Sequence, residues 1–387
     1  MAKVVIVIPT FNERENTAKM IEALARELPN IKNHEMHVLY VDDTSPDKTY
    51  EEVNQKSKTY PWLHLLLNKE KKGLGVAYAK GFKYAEEKLG ADFVMEFDAD
   101  FQHKPEEIKN LVAKIDEGYE YIIGSRYIPG GSIPKEWGMS RKFLSVIGNL
   151  VARVGLIMPK VHDLTTGFKI TKIKGVLDKI DLDNLYSNSF AYKVQILGQA
   201  IQGGAKWVEV PINFMARTEG ESKIIKNEMF ETLRVIFLVQ LHNPKIQKFI
   251  KFGTVGFIGY LVNAFGLYLF AKAGFPEWAI WLVATELAII NNFILNNIWT
   301  FKTEKISGVG KLLYKFFQFN LTSAGALVIQ TVFGTLGVKF FGPQSRQLLL
   351  PFIIVFLVLP YNYFMYNVVI WKTWKTPWAK KGAKQAR

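Results

Sequence analysis

Asp98-Ala99-Asp100 follows the apolar run Phe93–Phe97. Two carboxylates one residue apart, where the chain turns after a strand, can converge on one hard cation. Mg²⁺ and Mn²⁺ prefer such oxygen ligands and share them with substrate phosphates. Asp42-Asp43 ends another short run, where a carboxylate can accept hydrogen bonds from ribose hydroxyls or a base. Ser45 and Asp47 just beyond it fit a turn and a helix cap. Gly73-Leu74-Gly75 opens a helix and could let backbone approach a phosphate, although a plain helix start also accounts for it. Cations come next: Arg126 after Tyr121–Gly124, Arg141 at the start of a helix, and Arg217 and Lys223 flanking Gly220-Glu221-Ser222. Paired Arg and Lys are the means of holding several phosphate charges together.

The elements that must position these residues are readable by period. Short β-rich runs cover Val4–Pro9, His37–Asp42, Leu63–Leu67, Phe93–Phe97 and Tyr121–Gly124, and helical patterns follow at Glu15–Leu28, Lys48–Tyr60, Leu74–Leu89 and Pro105–Glu117. Repeated β-then-α order predicts a mostly parallel sheet covered by helices, an α/β fold. Ligands of such sheets sit outside the carboxyl ends of the strands. Thr10-Phe11-Asn12-Glu13, Asp42-Asp43 and Asp98-Ala99-Asp100 all fall there.

The second half differs. Four apolar stretches, about Phe252–Ala271, Trp278–Ile298, Phe316–Val338 and Leu348–Ile370, reach the roughly 20 residues a bilayer-spanning helix needs. Arg141–Met158 and Asn227–Leu241 place apolar residues at helical spacing, which suits a core-facing helix or one lying in the membrane interface. The formal charge of +14 is uneven: 16 Lys/Arg and 3 acids lie from Lys245 onward, leaving 33 and 32 in residues 1–244. The basicity therefore belongs to the membrane half, and a nucleic-acid partner loses its support. Lysines of the loops alternate in number from side to side. Both termini and the soluble part are accordingly expected on the cytoplasmic face. No cysteine is present, so neither a disulfide nor a thiolate metal site is available. The N-terminus runs straight into Val4–Ile8, without the pattern of a cleaved signal. A weak internal repeat pairs Lys248, Phe249, Phe252 and Asn263 with Lys315, Phe316, Phe319 and Gln330, and Asn292 and Asn297 with Asn362 and Asn367.

Taken in order, Pro9-Thr10-Phe11-Asn12-Glu13-Arg14-Glu15-Asn16, Val41-Asp42-Asp43-x-Ser45-Pro46-Asp47, Asp98-Ala99-Asp100-Phe101-Gln102-His103, Gly124-Ser125-Arg126-Tyr127 and Gly220-Glu221-Ser222-Lys223 resemble glycosyltransferase family 2. Within it they are most similar to dolichyl-phosphate mannose synthases and related polyprenyl-phosphate glycosyltransferases. Lys248-Phe249-x-x-Phe252, Asn291-Asn292-Phe293 and Asn296-Asn297-x-Trp299-Thr300-Phe301 resemble the GtrA-like membrane domain. The resemblance implies a GT-A (Rossmann-like) catalytic domain over residues 1–225, an interfacial amphipathic helix and linker over 226–247, and a four-helix transmembrane domain over 248–387. It implies inverting, metal-dependent transfer of a hexose, foremost mannose from GDP-mannose, to a polyprenyl or dolichyl phosphate. UDP-glucose as donor and a glycolipid-flipping membrane half are the alternatives.

Carried over by motif, Pro9, Phe11, Glu13, Asp43 and Asp98 would bind the donor nucleotide. Asp98, Asp100 and Gln102 would hold Mn²⁺ or Mg²⁺ with the diphosphate. Arg126, Arg141 and Ser145 would bind the acceptor phosphate, and Arg217 and Lys223 would close over the donor. Asp100, Arg126, Arg217 and Lys223 would carry the catalysis. Phe11, where Tyr is frequent, Gln195, where Glu is common, and Thr166-Gly167 in place of Ser-Gly leave the sugar open. A phosphate monoester, with a second pKa of about 6, is already nucleophilic at neutral pH, so no general base is required. Asp163 could serve as a base for a hydroxyl acceptor; a structural or sugar-contacting role is the preferred expectation.

Overall fold

The computed structural model describes residues 1–216, 228–275, 277–342, 345, 349 and 352–374. Arg217, Gly220, Glu221, Ser222, Lys223, Arg346 and Leu348 lie outside the described residues. The chain forms two compact units, Met1–Asn243 and Pro244–Arg387.

Among the described residues, the first unit is built on seven strands: β1 (Lys3–Thr10), β2 (Glu35–Asp42), β3 (Leu63–Leu67), β4 (Phe93–Glu96), β5 (Tyr121–Ser125), β6 (Lys169–Lys172) and β7 (Trp207–Pro211). Their order is β3-β2-β1-β4-β6-β5-β7. All pairs are parallel except those of β6, which runs antiparallel between β4 and β5 and sets Lys169 beside Glu96 and Ile123. Neither β6 nor β7 stands out in the sequence. In β6 the apolar Ile170 lies between lysines, and the charge of Lys169 is buried.

Strand alternation divides the core. Val4, Ile6 and Ile8 of β1 face one side, with Met20, Ile21 and Leu24 of α1 (Arg14–Glu27) and Ile108, Leu111 and Val112 of α4 (Ile108–Asp116). Val5 and Val7 face the other, with α3 (Leu74–Glu87), α6 (Tyr192–Gln202) and the buried edges of α5 (Met139–Gly155) and α7 (Glu228–Leu241). α2 (Thr49–Ser57) follows β2.

Both α5 and α7 are apolar on more than their core-facing side. Met139, Phe143, Leu144, Val146, Leu150, Val151 and Val154 of α5 are exposed, as are Met229, Phe230, Leu233 and Phe237 of α7. Ala152 of α5 and Val235, Ile236 and Val239 of α7 are buried. Periodicity poses a choice between a core helix and an amphipathic surface helix; these two helices have both faces.

The second unit comprises α8 (Pro244–Lys272), α9 (Glu277–Leu295), α10 (Val309–Phe341) and α11 (Leu359–Met365), with α9 running into a π turn at Asn296–Thr300 and α11 into one at Tyr366–Ile370. Among the described residues one stretch, Pro244–Phe270, is long and apolar enough to cross a membrane, and Ile354–Ile370 is a shorter apolar helix. The repeat seen in the sequence has a structural counterpart: Asn297 and Asn367 each occupy the second position of a π turn. Phe252 and Phe319 share one buried aromatic cluster, in which Phe301 stacks on Trp371 at 4.1 Å with planes 5° apart.

Candidate active site

Three loops at the carboxyl ends of β1, β2 and β4 make the centre of the site. Asn12, Thr44, Lys48 and Phe101 on these loops adopt left-handed backbone with φ of 54–62°, a conformation that costs energy for residues with side chains and collects at functional sites. Asp42 is buried and fixes the loops: it accepts from Thr10 Oγ1 (3.0 Å), Ser45 N (2.8 Å) and Ser45 Oγ (2.7 Å). Ser45 Oγ in turn accepts from Asn12 N at 3.0 Å. Asp47 accepts from Thr49 N (3.0 Å) at the start of α2 and from Arg14 N (3.1 Å).

Asp43, the next residue, is also buried. Its carboxylate accepts from Asn68 Nδ2 at 2.7 Å, and Lys80 donates to Asn68 Oδ1 at 3.2 Å. Burial pushes the Asp43 carboxyl above its ordinary range. Pro9 sits in β1 opposite Val41. The Lys71 ammonium lies 3.7 Å above the Phe11 ring, and Glu13 accepts from Asn16 Nδ2 at 2.8 Å.

Gly73 and Gly75 serve packing. At φ +108° a side chain on Gly73 would be strained and its Cβ would meet Asn188 O at 2.4 Å; one on Gly75 would meet Ser187 O at 2.8 Å. The glycines let α3 abut the 187–188 segment.

Asp98 follows β4, one residue beyond Phe97. Its side chain is 29 % exposed, with Oδ1 accepting from Tyr78 OH at 3.1 Å and Oδ2 lying 3.6 Å from Lys193 Nζ. Burial raises the proton affinity of Asp98, but the Lys193 charge and the Tyr78 hydroxyl outweigh it and hold the carboxyl below its usual range. Asp100 accepts from Gln102 N at 3.1 Å. The Gln102 side chain donates to Met215 O at 3.4 Å, and Met215 N donates to Gln102 O at 2.9 Å. His103, packed against Phe97, Phe168 and Phe214, is pushed down to about 3 by burial, so it is a neutral ring at working pH.

Arg126 begins just after β5 and is held by Asp163. Nε and Nη2 reach the two carboxylate oxygens at 2.7 and 2.8 Å, Arg126 N donates to Oδ2 at 3.0 Å, and Nη2 also donates to Thr165 Oγ1 at 2.8 Å. The Asp163 side chain is 0 % exposed. Burial opposes its charge, yet the guanidinium brings its carboxyl below the usual range. Such a carboxylate is a structural counter-ion and a poor base.

Glu209 of β7 aims Asp163 by accepting from His162 N (3.0 Å) and Asp163 N (2.9 Å). Asn149 of α5 adds a tie, accepting from Leu164 N at 2.9 Å. Ser145, also on α5, bonds to Tyr127 OH at 2.6 Å, and the exposed Arg141 lies 4.2 Å over the Trp137 ring. The Arg126–Asp163 pairing, Glu209, Asn149, Asn68 and Lys193 carry no local motif, because each acts across a long sequence separation.

The residues 5–177 match the model of glycosyl transferase family 2, and residues 251–371 match the GtrA/DPMS transmembrane domain. The chain is 36 % identical over 326 residues to a dolichol-phosphate mannosyltransferase of Pyrococcus furiosus, covering 83 % of this chain and 88 % of that protein. The chain belongs to glycosyl transferase family 2. Similarity extends to a polyprenol monophosphomannose synthase of Mycolicibacterium smegmatis (34 % over 232 residues, 60 % of this chain, 84 % of that one). An undecaprenyl-phosphate mannosyltransferase of Micrococcus luteus is 36 % identical over 222 residues, 57 % of this chain and 87 % of that one. The protein is thus a glycosyltransferase with a GT-A-like catalytic unit and a GtrA-like membrane domain.

Proposed function

We propose that this glycosyltransferase moves a mannosyl group from GDP-mannose to the phosphate of a polyprenyl or dolichyl phosphate at the cytoplasmic membrane face, with inversion. The activities for which the three relatives are named support the sugar and the acceptor class. The observation that carries the acceptor half is the position of α5. One helix bears an exposed apolar face, the exposed Arg141, and Ser145 bonded to the neighbour of Arg126. An apolar helix face of this kind suits the headgroup–acyl boundary, and Arg141 on the same helix suits a lipid phosphate.

On the donor side, Pro9, Phe11, Glu13 and Asp43 take the nucleotide. The set formed by Asp98, Asp100 and Gln102 is all oxygen and holds an ionised, partly exposed carboxylate, which fits Mn²⁺ or Mg²⁺. Among the described residues no three His, Cys, Asp or Glu side chains cluster as a complete metal cage. A site of this kind draws its remaining ligands from substrate phosphate, as is usual for Mg²⁺. When bound, the ion neutralises charge on the leaving diphosphate. Arg217 and Lys223 would add to that neutralisation. The acceptor phosphate attacks the anomeric carbon directly, and Arg141, more than the Asp163-paired Arg126, lowers the repulsion between the two anions.

Incubation of the purified protein with a polyprenyl phosphate, Mn²⁺ and labelled GDP-mannose or UDP-glucose tests this. Label entering the lipid phase from GDP-mannose is expected. Label from UDP-glucose alone would move the chain to the glucosyl branch, and label from neither would reject the donor and acceptor pair.

A further inference from the structure

Lys193 of α6 is 3 % exposed, and its ammonium is directed at Asp98 Oδ2, 3.6 Å away. The rings of Tyr78 and Phe190 lie 6.0 and 5.4 Å from its Nζ, and its carbonyl accepts from Lys169 Nζ at 3.2 Å. Gly167 makes room for the contact: a Cβ there would stand 2.3 Å from Lys193 Nζ and 2.8 Å from Asp98 Oδ2. Burying an ammonium is costly, and an apolar chain of the same length would pack beneath β4 without that cost. The charge is instead brought to the carboxylate that faces the donor side.

We propose that Lys193 is a resident cation that shares Asp98 with the incoming divalent ion, weakens metal binding to the donor-free site and thereby couples metal entry to the donor diphosphate. This rests on the metal reading of Asp98 and Asp100. Two cations on one carboxylate repel each other, and the diphosphate supplies the negative charge that lets both remain. Lys193 is a positioning residue acting through Asp98.

Mn²⁺ titration of the full-length protein, followed by the electron paramagnetic resonance of free Mn²⁺, tests the proposal with and without GDP. A neighbouring unit charge shifts the proton affinity of a carboxylate by about 10- to 1000-fold. Lys193→Met is therefore expected to tighten Mn²⁺ binding without GDP by about tenfold or more, and to change it much less with GDP present. A Lys residue needed only for packing would not raise metal affinity when removed. Lys193→Gln, which keeps a polar head, should shift affinity in the same direction and serves if the Met variant is unstable. Unchanged or weaker Mn²⁺ binding in both variants, with Asp98→Asn still abolishing it, would overturn this inference and leave the metal reading standing. Mn²⁺ binding that ignores Asp98→Asn would overturn both.

Discussion

The two sides of the catalytic unit handle charge in opposite ways. On the donor side, Asp43 is bonded to the neutral amide of Asn68 and burial raises its carboxyl. Asp98 shares a lysine at 3.6 Å while remaining partly exposed. On the proposed acceptor side, Arg126 is bonded through both edges of its fork to the fully buried Asp163. The donor side thus retains a demand for cations, whereas the acceptor-side pair is already neutralised. In the proposed reading, Arg126 alone is a weak source of attraction for a lipid phosphate, and Arg141 would carry most of that burden.

The largest effect should come from breaking the neutralised pair. Arg126→Met or Asp163→Asn strands one buried polar or charged partner and should cost roughly 3–5 kcal/mol of folding stability. The double variant should recover much of it, as read by denaturant unfolding in detergent; additive losses would argue against a coupled pair. Next, Asp100→Asn should lower turnover by about 10²-fold or more, as for other preorganised electrostatic groups. Near-normal turnover at saturating Mn²⁺ would remove Asp100 from the metal site.

Lys169 gives the fold a pH dependence of its own. Burial pushes its ammonium down to about 8 from an ordinary 10.5, so between those values the unfolded chain binds more protons than the folded one. Stability should therefore rise with pH across this window, by up to about 3 kcal/mol. Lys169→Met should flatten that part of the melting-temperature profile, and an unchanged slope would assign it to another group. Smaller still, Arg141→Ala should raise the KM for polyprenyl phosphate by about tenfold with little change in the KM for donor. The reverse split would place Arg141 on the donor side.

The strand-end position of the proposed donor residues was legible in the sequence because its signal is local. Asp43 and Asp98 each end an apolar run, and period fixes where a strand stops. β6 escaped notice because four residues, two of them lysines, give no alternation. The Arg126–Asp163 pair spans 37 positions, and nothing local distinguishes a buried Arg from a solvated one. Glu209 and Lys193 act on neighbours 46 and 95 positions away. The exposed apolar residues of α5 and α7 were visible as periodic helices; that each helix also contributes to the core depends on tertiary packing.

The most direct test compares polyprenyl phosphate with the matching polyprenol, which has a hydroxyl and no phosphate, under identical donor and metal. With Asp163 committed to Arg126, sugar transfer is expected to the phosphate and none above background to the alcohol. Comparable transfer to the alcohol would contradict this, because a general base would then have to operate at this site.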